Sequence, residues 1–293
     1  MRYKITHRTT YTYSEPVPVC HNQVLLTPRD DPHQRCRWHS LLIRPKPAHT
    51  LRRRDNYGNH VHAFSIETNH RKLEVTASSR VQVAPRTPPD SVTSRPWEEV
   101  VRSVRQQTAA DWLEACQFVF DSQAIQAREE LAQYAAQSFT PARPIVEAVI
   151  DFTGRIKNEF KYDTKATHVG TTTEEAFRLR RGVCQDFAHV QIACLRSLGV
   201  PARYVSGYLR TVPPPGKPRL VGADQSHAWA SVYCGESLWL DVDPTNAVVC
   251  SNDHVTLAWG RDYTDVCPIK GTFLGGGAHT LHVSVDVAPL DEA

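Results

Sequence analysis

The chain has 293 residues, of which 41% are hydrophobic and 22% charged, a length and composition typical of a globular protein with two domains. Lysine and arginine number 34 against 31 acidic residues, a net charge of +3, and this balance argues against a nucleic-acid partner. No stretch approaches the ~18 consecutive apolar residues of a membrane span, and the N-terminus lacks the apolar segment of a secretion signal. We therefore predict no membrane partner and a cytoplasmic location.

The eight cysteines are scattered along the chain, and none forms a CxxC pair. Such pairs mark zinc knuckles and dithiol redox sites, so neither kind of site is predicted. In a reducing cytosol most of these cysteines should be free thiols. The chain also lacks a Gly-rich dinucleotide fingerprint and a calcium-binding loop, so no cofactor and no metal is predicted.

Residues 1–84 are predicted to form a β-rich N-terminal domain. Its segments YKITHRTTYTYS, RWHSLLIRPKP, HVHAFSIET and KLEVTASSRVQV alternate apolar and polar residues or are rich in β-branched ones. Several short strands without a helical segment indicate a small antiparallel β-sandwich. The proline-rich stretch that follows, APRTPPDSVTSRP, breaks regular structure, and we place a linker at residues 85–99.

Residues 100–293 are predicted to form a second domain in which helices precede strands. The segment PIVEAVIDFTGRIKNEF has apolar residues at the helical spacings of four, three and four. After residue 199 the pattern returns to strands in ARYVSGYL, HAWASVYC, LWLDVD and TLHVSVDV. No helix separates these later strands, as parallel pairing would require, so the sheet should be antiparallel and the fold class α+β.

The segment RGVCQDFAHVQIACLRSLGVPARYVSGYL places Cys184 at the start of a predicted helix. Apolar residues recur every three or four positions, Gly199 suits the C-terminal cap, and Pro201 prevents continuation. In the first turn, free backbone N–H groups and the helix dipole favour an anion such as a thiolate. A cysteine beside a helix is also often a small core residue, so Cys184 alone does not establish a nucleophile.

The segments HAWASVYC and LWLDVD are predicted to form a hairpin that brings His227 and Asp243 together. A three-residue loop at residues 234–236 pairs His227 directly with Asp243 and puts both side chains on one face. A two-residue loop would instead put the acid on the opposite face. An odd register is therefore the condition for a contact between these side chains.

Two acids, Asp241 and Asp243, share that face in the odd register. Pro244 ends the strand directly after Asp243, which places this carboxylate at the strand end beside His227, so Asp243 is the predicted partner. Cys184, His227 and Asp243 would supply a nucleophile, a general base that later acts as an acid, and a group that orients the imidazole. The alternative is a packed cysteine beside a structural histidine–carboxylate pair, because the spacing does not prove that the helix docks on the hairpin.

Three stretches closely resemble the core of bacterial transglutaminase-like proteins, a papain-like thiol superfamily. They are RGVCQDFAHVQIACLRSLGVPARYVSGYL, HAWASVYCGESLWLDVDPTN and GRDYTDV. FKYDTKAT and DNYGNHVHAFSIE are similar to the same family, whose members carry an N-terminal β-domain of this size. The resemblance implies a transglutaminase-like catalytic core after the β-sandwich. It also implies that Cys184, His227 and Asp243 are the catalytic triad.

Further residues are expected around this triad. Gln185 resembles a family residue near the oxyanion site, where the backbone N–H of Cys184 is the expected donor. Tyr162 resembles a family aromatic whose O–H would be the second donor, with a packed core tyrosine as the alternative. Trp229, beside the hairpin, is expected in the core and in the wall of the site. Cys267 stands where similar sequences usually carry proline.

The expected activity is cysteine-dependent acyl transfer from an amide of a peptide or protein, through a thioester. Water as acceptor gives hydrolysis and an amine gives transamidation. We favour hydrolysis, because no domain dedicated to presenting a lysine is evident, with transamidation of glutamine as the alternative. A non-catalytic peptide-binding or scaffold protein is a further alternative, against which the intact set of cysteine, histidine and aspartate argues.

Overall fold

The computed structural model describes residues 1–87, 89–211 and 226–290. The fold class is α+β, as predicted: antiparallel β-sheets come first in the chain, and helices packed on an antiparallel sheet follow. All eight cysteines are free thiols. Within the described residues, no helix is long and apolar enough to cross a membrane.

The N-terminal part of the chain consists of strands, as its alternating pattern predicted. Most odd-numbered residues of the first strand, including Tyr3, Ile5, His7 and Thr9, are buried, whereas most of its even-numbered ones face solvent. The strands are β1 (Arg2–Val17), β2 (Cys20–Val24), β3 (Gln34–Arg44), β4 (His49–Arg54), β5 (His60–Ile66) and β6 (His70–Val83).

The predicted linker follows β6. Its described residues contain no helix or extended strand before Trp97. Pro88, one of the four prolines on which the linker prediction depends, lies outside the described residues. Arg86 in this segment donates a hydrogen bond to Asp241 of the second half of the chain, so the segment is attached to that half by an ion pair.

Helices dominate the middle of the chain, and strands return after it. The helices are α1 (Trp97–Arg105), α2 (Trp112–Cys116), α3 (Glu129–Ala136), α4 (Ile145–Glu159), α5 (Thr173–Leu179), α6 (Cys184–Ser197) and α7 (Tyr263–Val266). The strands are β7 (Lys161–Tyr162), β8 (Arg181–Gly182), β9 (Ala202–Leu209), β10 (Ser226–Tyr233), β11 (Trp239–Asp243), β12 (Val248–Val249), β13 (His254–Gly260), β14 (Ile269–Phe273) and β15 (His279–Pro289).

The central sheet of the second half has the order β12-β11-β10-β9-β13 and is antiparallel throughout. Helix α6 packs on β9 and β10, and every residue from Asp186 to Arg196 is buried. Tyr208 near the end of β9 pairs with Val255 of β13, and both lie with Leu257 in the core of the β-domain. The sheet is thus covered by helices over part of its area and contacts the β-domain at the end of β9.

The last two strands do not stay in the second half of the chain, although the predicted catalytic domain ran from residue 100 to 293. They complete the two N-terminal sheets, whose orders are β15-β1-β6-β3 and β14-β2-β5-β4. Strand β15 pairs with β1 along its whole length, from Tyr3 opposite Pro289 to Tyr13 opposite His279. Pairing between strands about 270 residues apart leaves no local pattern in the sequence, so a boundary drawn from composition could not include it.

Candidate active site

Helix α6 begins at Cys184, as the spacing predicted. The Asp186 carboxylate reaches back and accepts the N–H of Val183 at 2.8 Å, which fixes the start of the helix. Gly182 has φ +157°, and a Cβ at this position would collide with the Asp186 side chain, so the turn requires glycine. Cys184 is partly buried at the wall of a cleft, with its backbone N–H in the first helical turn.

The hairpin of β10 and β11 has the odd register that a contact between His227 and Asp243 requires, but its loop is longer than predicted. Tyr233 pairs with Trp239, so the loop holds residues 234–238 instead of three residues. Three consecutive loop residues have positive φ: Gly235 (94°), Glu236 (51°) and Ser237 (62°). The register is therefore shifted by two. It continues to place Asp243 on the face of His227, but diagonal to it and not directly opposite.

His227 and Asp243 are hydrogen-bonded in this arrangement, with Nε2 of the imidazole 2.7 Å from Oδ2 of the carboxylate. Burial disfavours the charged imidazolium, but the hydrogen bonds and charges of Asp243 and Cys184 outweigh it and raise the pKa of His227 to about 10. Cys184 and His227 line the same cleft, and since Nε2 binds Asp243, Nδ1 is the ring nitrogen available to the thiol. The three predicted triad residues thus come together in the order that nucleophilic catalysis requires.

The Asp243 carboxylate is completely buried and accepts several hydrogen bonds. Oδ1 accepts the backbone N–H groups of Thr245 (2.9 Å) and Asn246 (3.3 Å), and Oδ2 accepts the Asn246 side-chain amide (2.7 Å). Burial alone would raise the pKa of this group, but the hydrogen bonds, that of His227 foremost, lower it below its usual range. The DPTN turn after β11 therefore holds the carboxylate in its ionised form.

A second histidine, His254, also binds Asp243 and was not predicted. Its Nε2 lies 3.3 Å from Asp243 Oδ2, and its Nδ1 accepts the N–H of Ser251 at 3.3 Å, so the proton lies on Nε2 and is donated to the carboxylate. His254 is buried at the start of β13, and its ring lies edge-on to Trp229 with centroids 5.3 Å apart. Strand β13 reaches this position by pairing with β9, a pairing that the local sequence does not indicate.

Asp241, the alternative acid, has other partners. It accepts the hydrogen bond of Arg86, and the charges of Arg86 and Arg203 outweigh burial and lower its pKa. In the actual register it lies opposite Ser231, two residues further from His227 along the strand than Asp243. The structure thus gives Asp241 a place in an ion-pair network that joins the linker to the sheet.

The other predicted site residues, Gln185, Tyr162 and Trp229, differ in how far they are buried. Gln185 lines the cleft beside Cys184. Tyr162 pairs with Gly182 in the short ladder before α6 and is 43% exposed, and burial together with the charge of Cys184 raises its pKa. Trp229 is fully buried behind His227, with ring centroids 6.3 Å apart. Its position therefore supports His227 and His254 from within the core.

The cleft at Cys184 has a volume of about 260 Å³ and lies between the two halves of the molecule. From the second half it is lined by residues that include Cys184, Gln185, Tyr204, His227, Tyr263 and Cys267. From the β-domain it is lined by His7, Thr9, Tyr11, Leu281 and Val283. A larger groove of about 760 Å³ lies on the β2, β4, β5 and β14 sheet, and none of the predicted site residues lines it.

Among the described residues, one group could offer three ligand atoms to a metal ion: His227, Asp243 and His254, whose ligand atoms lie within 4.8 Å of one another. The two imidazole Nε2 atoms already donate to the same carboxylate oxygen. A cation bound there would displace both protons and remove His227 from Asp243. Hydrogen bonding therefore accounts for the cluster without a metal.

Two family models match the chain. The bacterial transglutaminase-like N-terminal region matches residues 3–82, and the transglutaminase-like superfamily matches residues 132–244. The first match covers strands β1 to β6 almost completely. The second match ends just after Asp243 and includes Cys184 and His227.

The chain is also similar to individual proteins. An uncharacterized protein of Mycobacterium tuberculosis is 41% identical over 295 residues, which cover 99% of this chain and 93% of that protein. A protein-glutamine gamma-glutamyltransferase of Pseudomonas aeruginosa is 34% identical over 122 residues, 40% of this chain and 18% of that protein. A solved structure from Cytophaga hutchinsonii, described as a "Putative Cysteine Protease", has a TM-score of 0.76 at 22% identity over 100% of this chain and 92% of its own, a likeness of fold.

Asp243→Asn should destabilise the protein most between about pH 4 and pH 6.5. The folded-state pKa of His227 is raised from 6.5 to about 10, so the stabilisation from its ion pair is complete below pH 6.5 and is lost as the pH rises toward 10. The pKa of Asp243 is lowered from 3.8, so its contribution is present above 3.8 and is lost as the pH falls through the lower folded value. Free energies of unfolding in urea at a series of pH values measure this difference.

The matched control for that series is Glu99→Gln, which neutralises an exposed acid on α1. Its effect should be small at every pH. A stability difference between wild type and Asp243→Asn that stays constant from about pH 4 to about pH 10 would contradict the charge assignment.

Proposed function

Because the chain belongs to the transglutaminase-like superfamily, we propose that it is a cysteine-dependent acyl-transfer enzyme that acts on amide bonds of peptides or proteins, with water as the favoured acceptor. The observation that carries this proposal is the environment of His227, whose imidazole shares a cleft with Cys184, which raises its pKa, and is hydrogen-bonded at 2.7 Å to the buried Asp243. A nucleophile, a base and an orienting carboxylate in one chain of contacts is the arrangement that thiol acyl transfer needs.

In the first step, Cys184 Sγ attacks the carbonyl carbon of the amide. His227 has taken the thiol proton and donates it to the amide nitrogen as the carbon–nitrogen bond breaks. Ammonia or an amine leaves, and a thioester between Sγ and the acyl carbon remains. The raised pKa of His227 keeps this proton available for donation at neutral pH.

Two groups support the charge that develops on the carbonyl oxygen. The backbone N–H of Cys184, in the first turn of α6, is the first proposed donor, because the helix start leaves it without an intrahelical acceptor. The Tyr162 hydroxyl is the second, and its nearness is supported by the effect of Cys184 on its pKa. Gln185 lines the cleft on the same side. Asp243 does not transfer a proton but holds the imidazole in position.

In the second step, water attacks the thioester while His227 accepts its proton, and the carbon–sulfur bond breaks. We favour water because the tryptophan beside His227 is buried in the core and does not screen the thioester. An amine in place of water would give transamidation. That alternative is favoured by the similarity to the Pseudomonas aeruginosa gamma-glutamyltransferase.

The proposed partner is a peptide or protein amide, with no nucleic acid and no membrane involved. Eight free cysteines support a cytoplasmic location, since reducing conditions keep thiols free. A non-catalytic scaffold is the rival function. A buried, ionised carboxylate held behind a histidine at the cleft favours the enzyme, because a scaffold gains nothing from that charge.

Cys184→Ala and His227→Ala should each lower kcat/KM by more than about a thousandfold, because the two side chains act as one unit. Asp243→Asn should cost less, about a hundredfold, because the acid only orients the base. Asp241→Asn is the matched control: it should leave kcat within a few-fold but lose about 3 kcal/mol of stability, because Arg86 and Arg203 lose their counter-charge. If Asp241→Asn proves more damaging to kcat than Asp243→Asn, the third member of the triad is misassigned.

Incubation with glutamine-containing peptides should give more water product than amine product. Mass analysis with and without a labelled primary amine separates the outcomes: cleavage of the chain, a one-unit gain at glutamine, or incorporation of the amine. Cys184→Ala should give none of these products. Amine adducts that exceed water products at millimolar amine would show that transamidation is the reaction.

A further inference from the structure

The wall of the cleft opposite Cys184 comes from the β-domain, through β1 and β15. Thr9 pairs with Val283 and Tyr11 with Leu281, and all four line the cleft. On the same face of β15, Val285 is 1% exposed, whereas Val283 is 45% and Leu281 55% exposed. The apolar face of this sheet thus extends beyond its covered part and forms an open surface in the cleft.

A buried chain of hydrogen bonds ends in this wall. Nδ1 of His7 lies 2.9 Å from the hydroxyl of Tyr208 on β9, and Nε2 of His7 lies 3.1 Å from Oγ1 of Thr9. All three side chains are at most 3% exposed. Burial lowers the pKa of His7 to about 4, so the imidazole is neutral and carries one proton.

The position of that proton follows from the burial of Tyr208. Within the described residues its hydroxyl makes no hydrogen bond other than that to His7, and a buried donor without an acceptor is costly. Thr9 is nearly as buried, but it lines the cleft, where its hydrogen can reach an acceptor outside the protein, whereas Tyr208 does not line it. Tyr208 therefore donates to Nδ1, and the proton of His7 lies on Nε2 and is donated to Thr9. The Thr9 oxygen is then an acceptor toward His7, and its own hydrogen is free to be donated into the cleft.

From this geometry we propose that the β-domain wall is a peptide-binding subsite of the cleft, in which the Thr9 hydroxyl donates to a main-chain carbonyl of the substrate and Leu281 and Val283 hold an apolar side chain next to the reactive amide. The inference rests on the proposed function, because it assigns the substrate class of the same cleft: peptides with an apolar residue flanking the amide. Thr9 and the two apolar residues determine specificity, and His7 and Tyr208 position Thr9.

Peptide binding to the Cys184→Ala protein tests this without turnover. The probes are two heptapeptides with a central glutamine flanked on both sides by leucines or by serines, and calorimetry measures their Kd. The leucine peptide should bind about tenfold more tightly than the serine peptide, and Thr9→Val should weaken it roughly five- to tenfold. Thr12→Val, an exposed threonine on the opposite face of β1, should have no effect.

Leu281→Asn should reduce the preference for the leucine peptide, whereas Leu51→Asn should not. Leu51 is an equally exposed leucine on β4, in the larger groove outside the cleft. Equal binding of the two peptides, no binding of either, or a loss with Leu51→Asn in place of Leu281→Asn would each overturn the subsite.

Tyr208→Phe tests the hydrogen-bond chain itself. Without the tyrosine proton neither tautomer of His7 is enforced, so Thr9 donates to His7 part of the time and is then withdrawn from the cleft. The variant should weaken the leucine peptide less than Thr9→Val does, and the double variant should be no weaker than Thr9→Val alone. Additive losses would indicate a merely structural effect of Tyr208 and overturn the positioning role.

Failure of the subsite and failure of the proposed function give different results. Loss of catalysis appears as absence of product with the wild-type enzyme, while the binding measurements still report on the β-domain wall. Normal turnover with unchanged binding by Thr9→Val and Leu281→Asn would leave the catalytic proposal intact and refute the subsite.

Discussion

The buried carboxylate of Asp243 is the constraint on which the site depends. An unpaired charge that is fully removed from water costs several kcal/mol, so it persists only where many donors meet it. Here the donors come from three directions: His227 on β10, His254 on β13, and the turn of Thr245 and Asn246 after β11. Strand β9, in the middle, brings β10 and β13 to either side of itself, and this topology places both histidines at one carboxylate.

The ionised carboxylate of Asp243 affects Cys184 through His227, which lies between them. A carboxylate held in its ionised form raises the pKa of the imidazole, and the charged imidazole lies beside a thiol at a helix start. Each of these contacts favours the charged form of His227. The site therefore obtains its chemistry from electrostatics that are fixed before substrate binds.

The second architectural feature is the return of β14 and β15 to the N-terminal sheets. The first and the last strands of the chain are neighbours, and the catalytic sheet packs on the β-domain through a shared core. The cleft lies at this junction, so both halves contribute side chains to it. A β-domain joined to the rest in this way is part of the site and not an independent appendage.

Local features of the site were predictable from the sequence, whereas long-range ones were not. The start of α6 at Cys184 followed from helical spacing and capping, and the shared face of His227 and Asp243 followed from the parity of the hairpin. The exact partner across the strand did not, because two more residues joined the loop through positive φ at Glu236 and Ser237. His254 and Thr9 reach the site only through strand pairings, which no short pattern encodes.

The central claim is that His227, held by Asp243, activates Cys184 as a nucleophile. The most direct measurement is the rate of alkylation of each cysteine by iodoacetamide at mildly acidic pH, followed by mass mapping. Burial raises the pKa of Cys20, Cys36, Cys194, Cys234 and Cys250 and should make them slow. We predict that Cys184 reacts first and that His227→Ala slows it by at least about tenfold. Labelling of Cys184 no faster than that of Cys116 or Cys267, or unchanged by loss of His227, would contradict the account.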